Sequence, residues 1–266
     1  MPEIMKINEY IHRTTLPYKD IFTTIYTIRT EEGVLLFDAA SFDTDAETYI
    51  LPFLKEVGVA QEELKYIFIS HNHRDHAGGL KCLAPFFPNA KILSRSPELM
   101  SAYAPNHPFA APEEGETFLG CLEVVTIPGH TMDSMALLDR RTNLMVTGDC
   151  LQVYGIVGSQ DWASNIRFPV EHLAALEKVR SLEPDQIVTA HDYYPCGYRA
   201  EGKAETRRMI DLCEEPLRRL QKLITDNPEL DDAAIRALYN NDPKAPTIRL
   251  GVVAAIRAAL LDGRIG

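Results

Sequence analysis

The stretch SHNHRDHAGG at residues 70–79 concentrates side chains that bind metal ions well and fill a hydrophobic core poorly. Within six positions it carries His71, His73, Asp75 and His76, directly after the apolar run LKYIFIS. Imidazole and carboxylate groups beside a buried strand are costly unless partners satisfy them. The same groups are ordinary ligands of divalent transition metals. The spacing therefore indicates a metal site at the end of this strand.

Three further candidate ligands also come at the ends of predicted strands. They are His130 after LEVVTIP, Asp149 at the end of NLMVTGD, and His191 after QIVTA. Strand ends hold side chains rigidly and can aim them at one common point. We expect a two-metal site with this assignment: metal 1 binds His71, His73 and His130, metal 2 binds Asp75, His76 and His191, and Asp149 bridges both.

The expected cofactors are two divalent metal ions. Zinc suits imidazole and carboxylate ligands best, while iron, manganese and cobalt accept the same set. The five cysteines are odd in number and form no CxxC pair, so neither a thiolate zinc site nor a disulfide framework is indicated.

Several side chains near these ligands are candidates for substrate contacts. Candidates for oxyanion stabilisation are Tyr193 and Tyr194, just beyond His191, and Tyr154, with packing as the alternative. Candidates for the pocket walls are residues 103–109 and the loop at 150–168, which carries Tyr154, Trp162 and Phe168. The alternative is that these aromatic side chains only anchor the loops. The remaining histidines, His12, His107 and His172, are interpreted as surface or core residues.

The periodicity of the chain predicts an α/β architecture followed by a helical segment. Residues 23–30 and 34–39 form a predicted hairpin, and strands alternate with helices up to about residue 200. Beyond it, apolar residues recur at helical spacing over 204–225, 230–240 and 246–261. We therefore expect a catalytic domain at residues 1–200 and a helical module at 201–266.

The composition of the chain limits the classes of partner that it is expected to bind. The net charge of -11 disfavours nucleic acid and anionic membranes. No apolar run reaches the ~18 residues of a membrane helix, and the N-terminus lacks the apolar core of a signal peptide. We expect a cytoplasmic protein that acts on a small-molecule substrate and binds no membrane. Its oligomeric state is open, with a homodimer as one expectation.

Four motifs in order resemble the metallo-β-lactamase superfamily: HNHRDH, PGHT at 128–131, TGD at 147–149 and AHD at 190–192. The resemblance covers about residues 4–195 and implies an αββα sandwich of two sheets with helices outside. It also implies that Asp38 orients a ligand histidine. The C-terminal residues resemble the small, winged-helix-like module of β-lactamase-like protein 2 relatives, with a helical cap as the alternative.

The predicted metal ligands limit the range of activities expected within that superfamily. Its zinc β-lactamases lack a bridging aspartate at the position of Asp149, and its flavodiiron proteins carry glutamate at that of His73, so neither is expected. Glyoxalase II and lactonase relatives share the ligands. The stretch CLQVYGIVGS after Asp149 departs from that of glyoxalase II, which disfavours glutathione thioesters.

The resulting hypothesis is a binuclear hydrolase of a small ester, thioester or lactone. Two adjacent divalent ions acidify a bridging water, so that a metal-bridging hydroxide attacks the carbonyl. Asp149 and Asp75 are the expected catalytic carboxylates, with Asp149 as proton acceptor. Two alternatives stay open: a mononuclear iron oxygenase resembling persulfide dioxygenases, and a phosphodiesterase or nuclease. Residues 201–266 hold eleven basic and eleven acidic residues, a balance that does not favour the nuclease.

Overall fold

The computed structural model describes residues 3–19, 21–157 and 166–265. The chain forms two compact units. The first unit comprises residues Met1–Val125 and Met135–Arg141, and the second comprises Thr126–Ser134 and Thr142–Gly266. None of the described helices is long and apolar enough to cross a membrane.

Strands and helices alternate along much of the described chain. The strands are β1 Ile4–Lys6, β2 Ile11–Tyr18, β3 Ile21–Thr30, β4 Gly33–Phe37, β5 Leu64–Phe68, β6 Lys91–Leu93, β7 Phe109–Ala110, β8 Thr117–Phe118, β9 Leu122–Thr126, β10 Met135–Asp139, β11 Leu144–Val146, β12 Gln186–Tyr193 and β13 Gly197–Glu201. The α-helices are α1 Asp43–Asp45, α2 Leu51–Glu56, α3 Arg74–Ala77, α4 Leu80–Phe86, α5 Pro97–Tyr103, α6 Pro169–Leu182, α7 Lys203–Asp226, α8 Asp232–Asn240 and α9 Leu250–Leu261. The chain also forms a π-helical turn, Ala46–Ile50, and a 3-10 turn, Gln61–Glu63.

The first unit is built on a seven-stranded sheet in the order β1 to β7. Strands β1 to β4 are antiparallel, which confirms the predicted hairpin of β3 and β4. Strands β4 to β7 are parallel, and Phe37 lies opposite Phe68 in the pairing of β4 with β5. Their rings stack with centroids 5.1 Å apart. Since both strands end at this buried pair, the residues that follow them leave the sheet side by side.

In the second unit, β11 and β12 are parallel, with Val146 opposite Val188. The parallel pairing places the segment that leaves β11 beside the last residues of β12, where Thr147 donates its backbone N–H to the carbonyl of Val188 (3.0 Å). The strand predicted at QIVTA is three residues longer than expected, so His191 lies inside β12 and not after its end. Strand β13 pairs antiparallel with β12. The helices predicted at 204–225, 230–240 and 246–261 are confirmed as α7, α8 and α9.

A six-stranded sheet has the order β13-β12-β11-β10-β9-β8. The chain thus contains two mixed sheets with helices, which confirms the predicted α/β class, and it ends in helices as expected. The division into compact units does not coincide with residue 200. A separately folding module at 201–266, and its winged-helix-like character, stay predictions.

Candidate metal centre

The first unit brings four of the predicted ligands together in the turn after β5 and in the short helix α3 that follows it. The ring of His71 lies 4.7 Å from that of His73 and 4.1 Å from that of His76, between centroids. The Nε2 atom of His76 lies 3.4 Å from a carboxylate oxygen of Asp75. His71, Asp75 and His76 are buried and His73 is half-buried. Three imidazoles and one carboxylate therefore share one small region, as the motif predicts.

Asp38 lies at the base of this group, directly after β4. Its Oδ2 atom accepts a hydrogen bond from Nδ1 of His76 (2.7 Å), in agreement with the role that the resemblance implies. Its Oδ1 atom accepts the backbone N–H of Ser70 (2.8 Å). Burial raises the pKa of the Asp38 carboxyl, and the contacts with His76 and Ser70 act in the opposite direction. The hydrogen bond between Nδ1 of His76 and Asp38 fixes the imidazole ring, so that Nε2 of His76 is directed away from Asp38.

Two glycines after the histidine motif allow the loop at residues 38–42 to lie close to α3. A Cβ atom on Gly78 would be 1.8 Å from the carbonyl oxygen of Ser41, and one on Gly79 would be 2.3 Å from that of Ala39. Both glycines also donate their N–H groups to this loop, to Ala40 and Ala39. These glycines were not among the predicted site residues, although the pair in HAGG follows the motif directly.

The second unit brings together the other three predicted ligands around a carboxylate. One oxygen of Asp149, Oδ2, lies 3.5 Å from Nε2 of His130. The other oxygen, Oδ1, lies 3.3 Å from Nε2 of His191. All three side chains are buried. The carboxylate thus lies between two imidazoles and presents one oxygen to each, an arrangement compatible with a bridging ligand.

The three candidate tyrosines have different environments. Tyr193 is fully buried, and its hydroxyl donates to Oδ1 of Asp149 (3.0 Å). The hydroxyl of Tyr154 donates to Glu215 (3.1 Å), and burial, with the nearby Glu215 charge, raises the pKa of Tyr154 to about 12. Tyr194 is 47% exposed. Within the described residues, the hydroxyls of Tyr193 and Tyr154 each donate to a carboxylate, whereas the hydroxyl of Tyr194 forms no side-chain hydrogen bond.

His172 is more closely linked to this region than its sequence context predicts. It is a core residue on α6, 1% exposed, and its Nε2 atom is buried without a hydrogen-bond partner in the described part of the chain. Gly129, with φ +150°, packs on the ring, and a Cβ atom there would be 2.6 Å from Nδ1 of His172. Burial is the main cause that lowers the pKa of His172 to about 3, and the neighbouring His130 adds to it. A neutral imidazole thus supports the loop that carries His130.

The predicted pocket walls are described only in part. Phe168 is 36% exposed and Phe109, in the other predicted wall, is 47% exposed. Trp162 lies outside the described residues. The loop after Asp149 is held by backbone hydrogen bonds that join Tyr154 with Tyr194 and Gly155 with Tyr194, each 3.0 Å.

The donor chemistry of both groups fits divalent metal ions. Within the first unit, one ligand atom each of His71 and His73 lies within 4.8 Å of the other, and the same holds for Asp75 with His76. Asp149 and His191 meet the same criterion in the second unit. Buried imidazoles and carboxylates in such groups are the ligands that zinc, iron and manganese share.

These motifs belong to a known family. A family model of the metallo-beta-lactamase superfamily matches residues 18–191, about two thirds of the chain. The chain belongs to this superfamily. The expected sandwich with a C-terminal helical appendage is thereby confirmed as its fold class.

Similar sequences cover parts of the chain. The uncharacterized protein YobT of Bacillus subtilis is 29% identical over 61% of this chain and 76% of its own length. A hydroxyacylglutathione hydrolase of Aeromonas hydrophila is 27% identical over 64% of this chain and 61% of its own. A beta-lactamase-like protein 2 homolog of Drosophila melanogaster is 26% identical, over 64% and 58%. The chain therefore spans about three fifths of the length of the latter two relatives.

Solved structures share the fold. A metallo-beta-lactamase family protein from Thermus thermophilus superposes with a TM-score of 0.63 at 16% identity, covering 98% of this chain and 96% of that one. A flavo di-iron protein mutant from Thermotoga maritima has a TM-score of 0.64 at 17% identity, covering 81% and 63%. At such identities the likeness concerns the fold alone.

Proposed function

We propose that the chain is a metal-dependent hydrolase of a small ester, thioester or lactone, with one two-metal centre built from the seven predicted ligands. The proposed ligands are His71, His73 and His130 for metal 1, Asp75, His76 and His191 for metal 2, and Asp149 for both. Zinc is the proposed metal, with iron and manganese as alternatives that fit the same donors.

The position of the Asp149 carboxylate carries this proposal. One of its oxygens faces His130 and the other faces His191, ligands that the proposal assigns to different ions. The close grouping of ligand atoms within each unit also supports it, since those of His71 and His73 lie within 4.8 Å of each other. A carboxylate that bridges two like-charged ions offsets their mutual repulsion.

The similarity to relatives supports hydrolysis. The Aeromonas relative is named a hydroxyacylglutathione hydrolase. Because the chain spans only 61% of that protein, we take from it the class of reaction and leave the acyl and leaving groups open. The stretch after Asp149 disfavours glutathione itself.

When bound, the two ions would polarise a substrate carbonyl and lower the pKa of water toward neutrality. The protein side chains have separate roles in our proposal. Asp149 accepts a proton as the substrate is cleaved, and Tyr193 holds its carboxylate through the 3.0 Å hydrogen bond. Asp75 acts as a ligand carboxylate beside His76. Tyr194, which is exposed, is the proposed donor to a developing oxyanion.

Metal content measured together with activity tests this function. Protein prepared without chelator should contain close to two transition-metal ions per chain by elemental analysis, and it should hydrolyse members of a thioester and lactone panel. Chelation should abolish the activity, and zinc should restore it. A stable content of one iron with oxygen consumption would overturn the proposal in favour of an oxygenase. Turnover of RNA or phosphodiesters without turnover of the acyl panel would overturn it in favour of a nuclease.

A further inference from the structure

A buried chain of hydrogen bonds joins two candidate metal ligands through one carboxylate. Asp38 and Ser70 are both completely buried in the first unit. Oδ2 of Asp38 accepts hydrogen bonds from Nδ1 of His76 (2.7 Å) and from the hydroxyl of Ser70 (3.0 Å). The same hydroxyl oxygen lies 3.0 Å from Nδ1 of His71. The sequence of contacts is therefore His76, Asp38, Ser70, His71.

The available protons determine the direction of each bond in this chain. Both donors of Ser70 point at the oxygens of Asp38, so the group takes part as an acceptor, and His76 correspondingly donates to it from Nδ1 at 2.7 Å. Ser70 has a single hydroxyl proton, which it donates to Asp38, so its oxygen can only accept from His71. His71 therefore also carries its proton on Nδ1. Each neutral imidazole then keeps its lone pair on Nε2, the atom that a metal ion would bind.

The backbone holds this chain in place independently of the imidazoles. The N–H of Ser70 donates to Oδ1 of Asp38 (2.8 Å), and the N–H of Asp38 donates to the carbonyl of Phe68 (2.7 Å). Asp38 has φ +67°, a left-handed conformation that is unfavourable for a residue with a Cβ atom. Aspartate adopts this conformation more readily than most such residues, and here the backbone hydrogen bonds with Ser70 and Phe68 hold it. These contacts position the carboxylate without the imidazoles.

We propose that Ser70 is a positioning residue that transmits the orienting effect of Asp38 to His71, so that one carboxylate orients a ligand of each metal ion. The inference rests on the proposed two-metal function, which assigns His71 to metal 1 and His76 to metal 2.

The tautomers can be measured without metal. Nitrogen-15 NMR of the histidine rings in the metal-free protein should show His71 and His76 as Nδ1–H tautomers. Ser70→Ala should release the tautomer of His71 and leave that of His76 unchanged. Asp38→Ala, which leaves no side-chain acceptor, should release both. If Ser70→Ala does not fold, Ser70→Cys, which keeps the size and weakens the hydrogen bond, gives the same comparison.

Zinc affinity provides the second measurement, by competition with a chromophoric chelator. Ser70→Ala should weaken one of two bound zinc ions by about 10- to 100-fold, the usual effect of removing a group that orients a ligand. Asp38→Ala should weaken both, and adding Ser70→Ala to it should cost little more. Ser70→Thr should restore most of the affinity.

Ser96→Ala is the matched control. Ser96 is another buried serine of the same unit, and its hydroxyl donates to Glu98 (3.2 Å) rather than to the Asp38 group. It should leave both zinc affinities and all ring tautomers unchanged. The proposal is overturned if His71 keeps its Nδ1–H tautomer in Ser70→Ala, or if that variant binds zinc as Ser96→Ala does. A wild-type protein that binds fewer than two zinc ions would instead refute the two-metal function, while the tautomers still decide the role of Ser70.

Discussion

Replacing Asp149 by asparagine should disable the proposed centre while leaving the protein folded. The amide has nearly the same shape as the carboxylate, but it carries no charge and only one ligand oxygen. Oδ1 and Oδ2 face His191 at 3.3 Å and His130 at 3.5 Å, so one of these two sides must lose its oxygen. Tyr193 can still donate to the remaining carbonyl, which should keep the loop in place.

The magnitude follows from the position of the charge. Asp149 is only 5% exposed, so solvent screens it weakly. At an effective dielectric of ~20, two unit charges ~4 Å apart interact by about 4 kcal/mol, and a divalent ion doubles the charge of one partner. Relaxation and the retained oxygen offset part of this loss. We expect one ion to bind at least ~100-fold more weakly, a loss of about 2.7 kcal/mol, and hydrolysis to fall by a similar factor or more.

Elemental analysis, chelator competition and steady-state kinetics on the best acyl substrate measure these effects together. Asp226→Asn is the control, since it removes a carboxylate of the same unit that pairs with Lys222 at the end of α7. Circular dichroism should show both variants folded. An Asp149→Asn protein that keeps two metal ions and turns over within a few-fold of the wild type would refute the bridging role.

Three further outcomes are expected. Tyr193→Phe removes the hydrogen bond to Asp149 and should lower kcat by about tenfold, an effect of ~1.4 kcal/mol, with metal content retained; unchanged kcat would contradict it. His172 has its ordinary pKa of 6.5 when unfolded and about 3 when folded, so its contribution to stability is complete above pH 6.5 and declines by up to ~1.4 kcal/mol per pH unit as pH falls toward 3. Urea unfolding of His172→Asn should lack this part of the acid sensitivity between pH 7 and 5, and an identical pH slope would rule it out. A chain truncated at residue 200 should unfold at much lower temperature than the full chain in calorimetry, whereas an equal Tm would show an independent domain.

The grouping of candidate metal ligands could be predicted because most of them follow strands that are visible in the sequence. An apolar, β-branched run followed by histidine or aspartate marks a buried strand and, in most cases, its end. His191 is the exception, since β12 continues through it to Tyr193. Parallel pairing then decides which strand ends are neighbours, as for β4 with β5 and β11 with β12. The sequence shows where strands end but not which strands pair with each other. A grouping of the ligands from sequence therefore depends on the expectation that strand ends converge.

The supporting contacts could not be predicted because they join residues far apart in the chain. Asp38 and Ser70 are 32 positions apart, and Tyr193 and Asp149 are 44 positions apart. Serine after a strand and tyrosine after histidine are common, and nothing local shows which atom each hydroxyl meets. His172 was interpreted as a surface or core histidine for the same reason. Its closeness to Gly129 depends on how α6 packs within its unit.

Near residue 200 the sequence pattern changes from alternating strands and helices to helices alone. This point marks a change of secondary structure more clearly than a boundary of the hydrophobic core. Ile166 and Leu173 precede it, yet they share one buried apolar cluster with residues of α7, α8 and α9. Burying each such side chain is worth about 1.5–3 kcal/mol, so exposing this pair alone would cost ~3–6 kcal/mol of a total that is typically ~5–15 kcal/mol. The buried sulfur of Cys213, in α7, also accepts a hydrogen bond from the backbone N–H of Val153 (3.3 Å). Val153 comes four residues after Asp149. The helices after residue 200 are therefore expected to stabilise the loop that carries Asp149, the proposed bridging ligand, whatever they contribute to substrate binding.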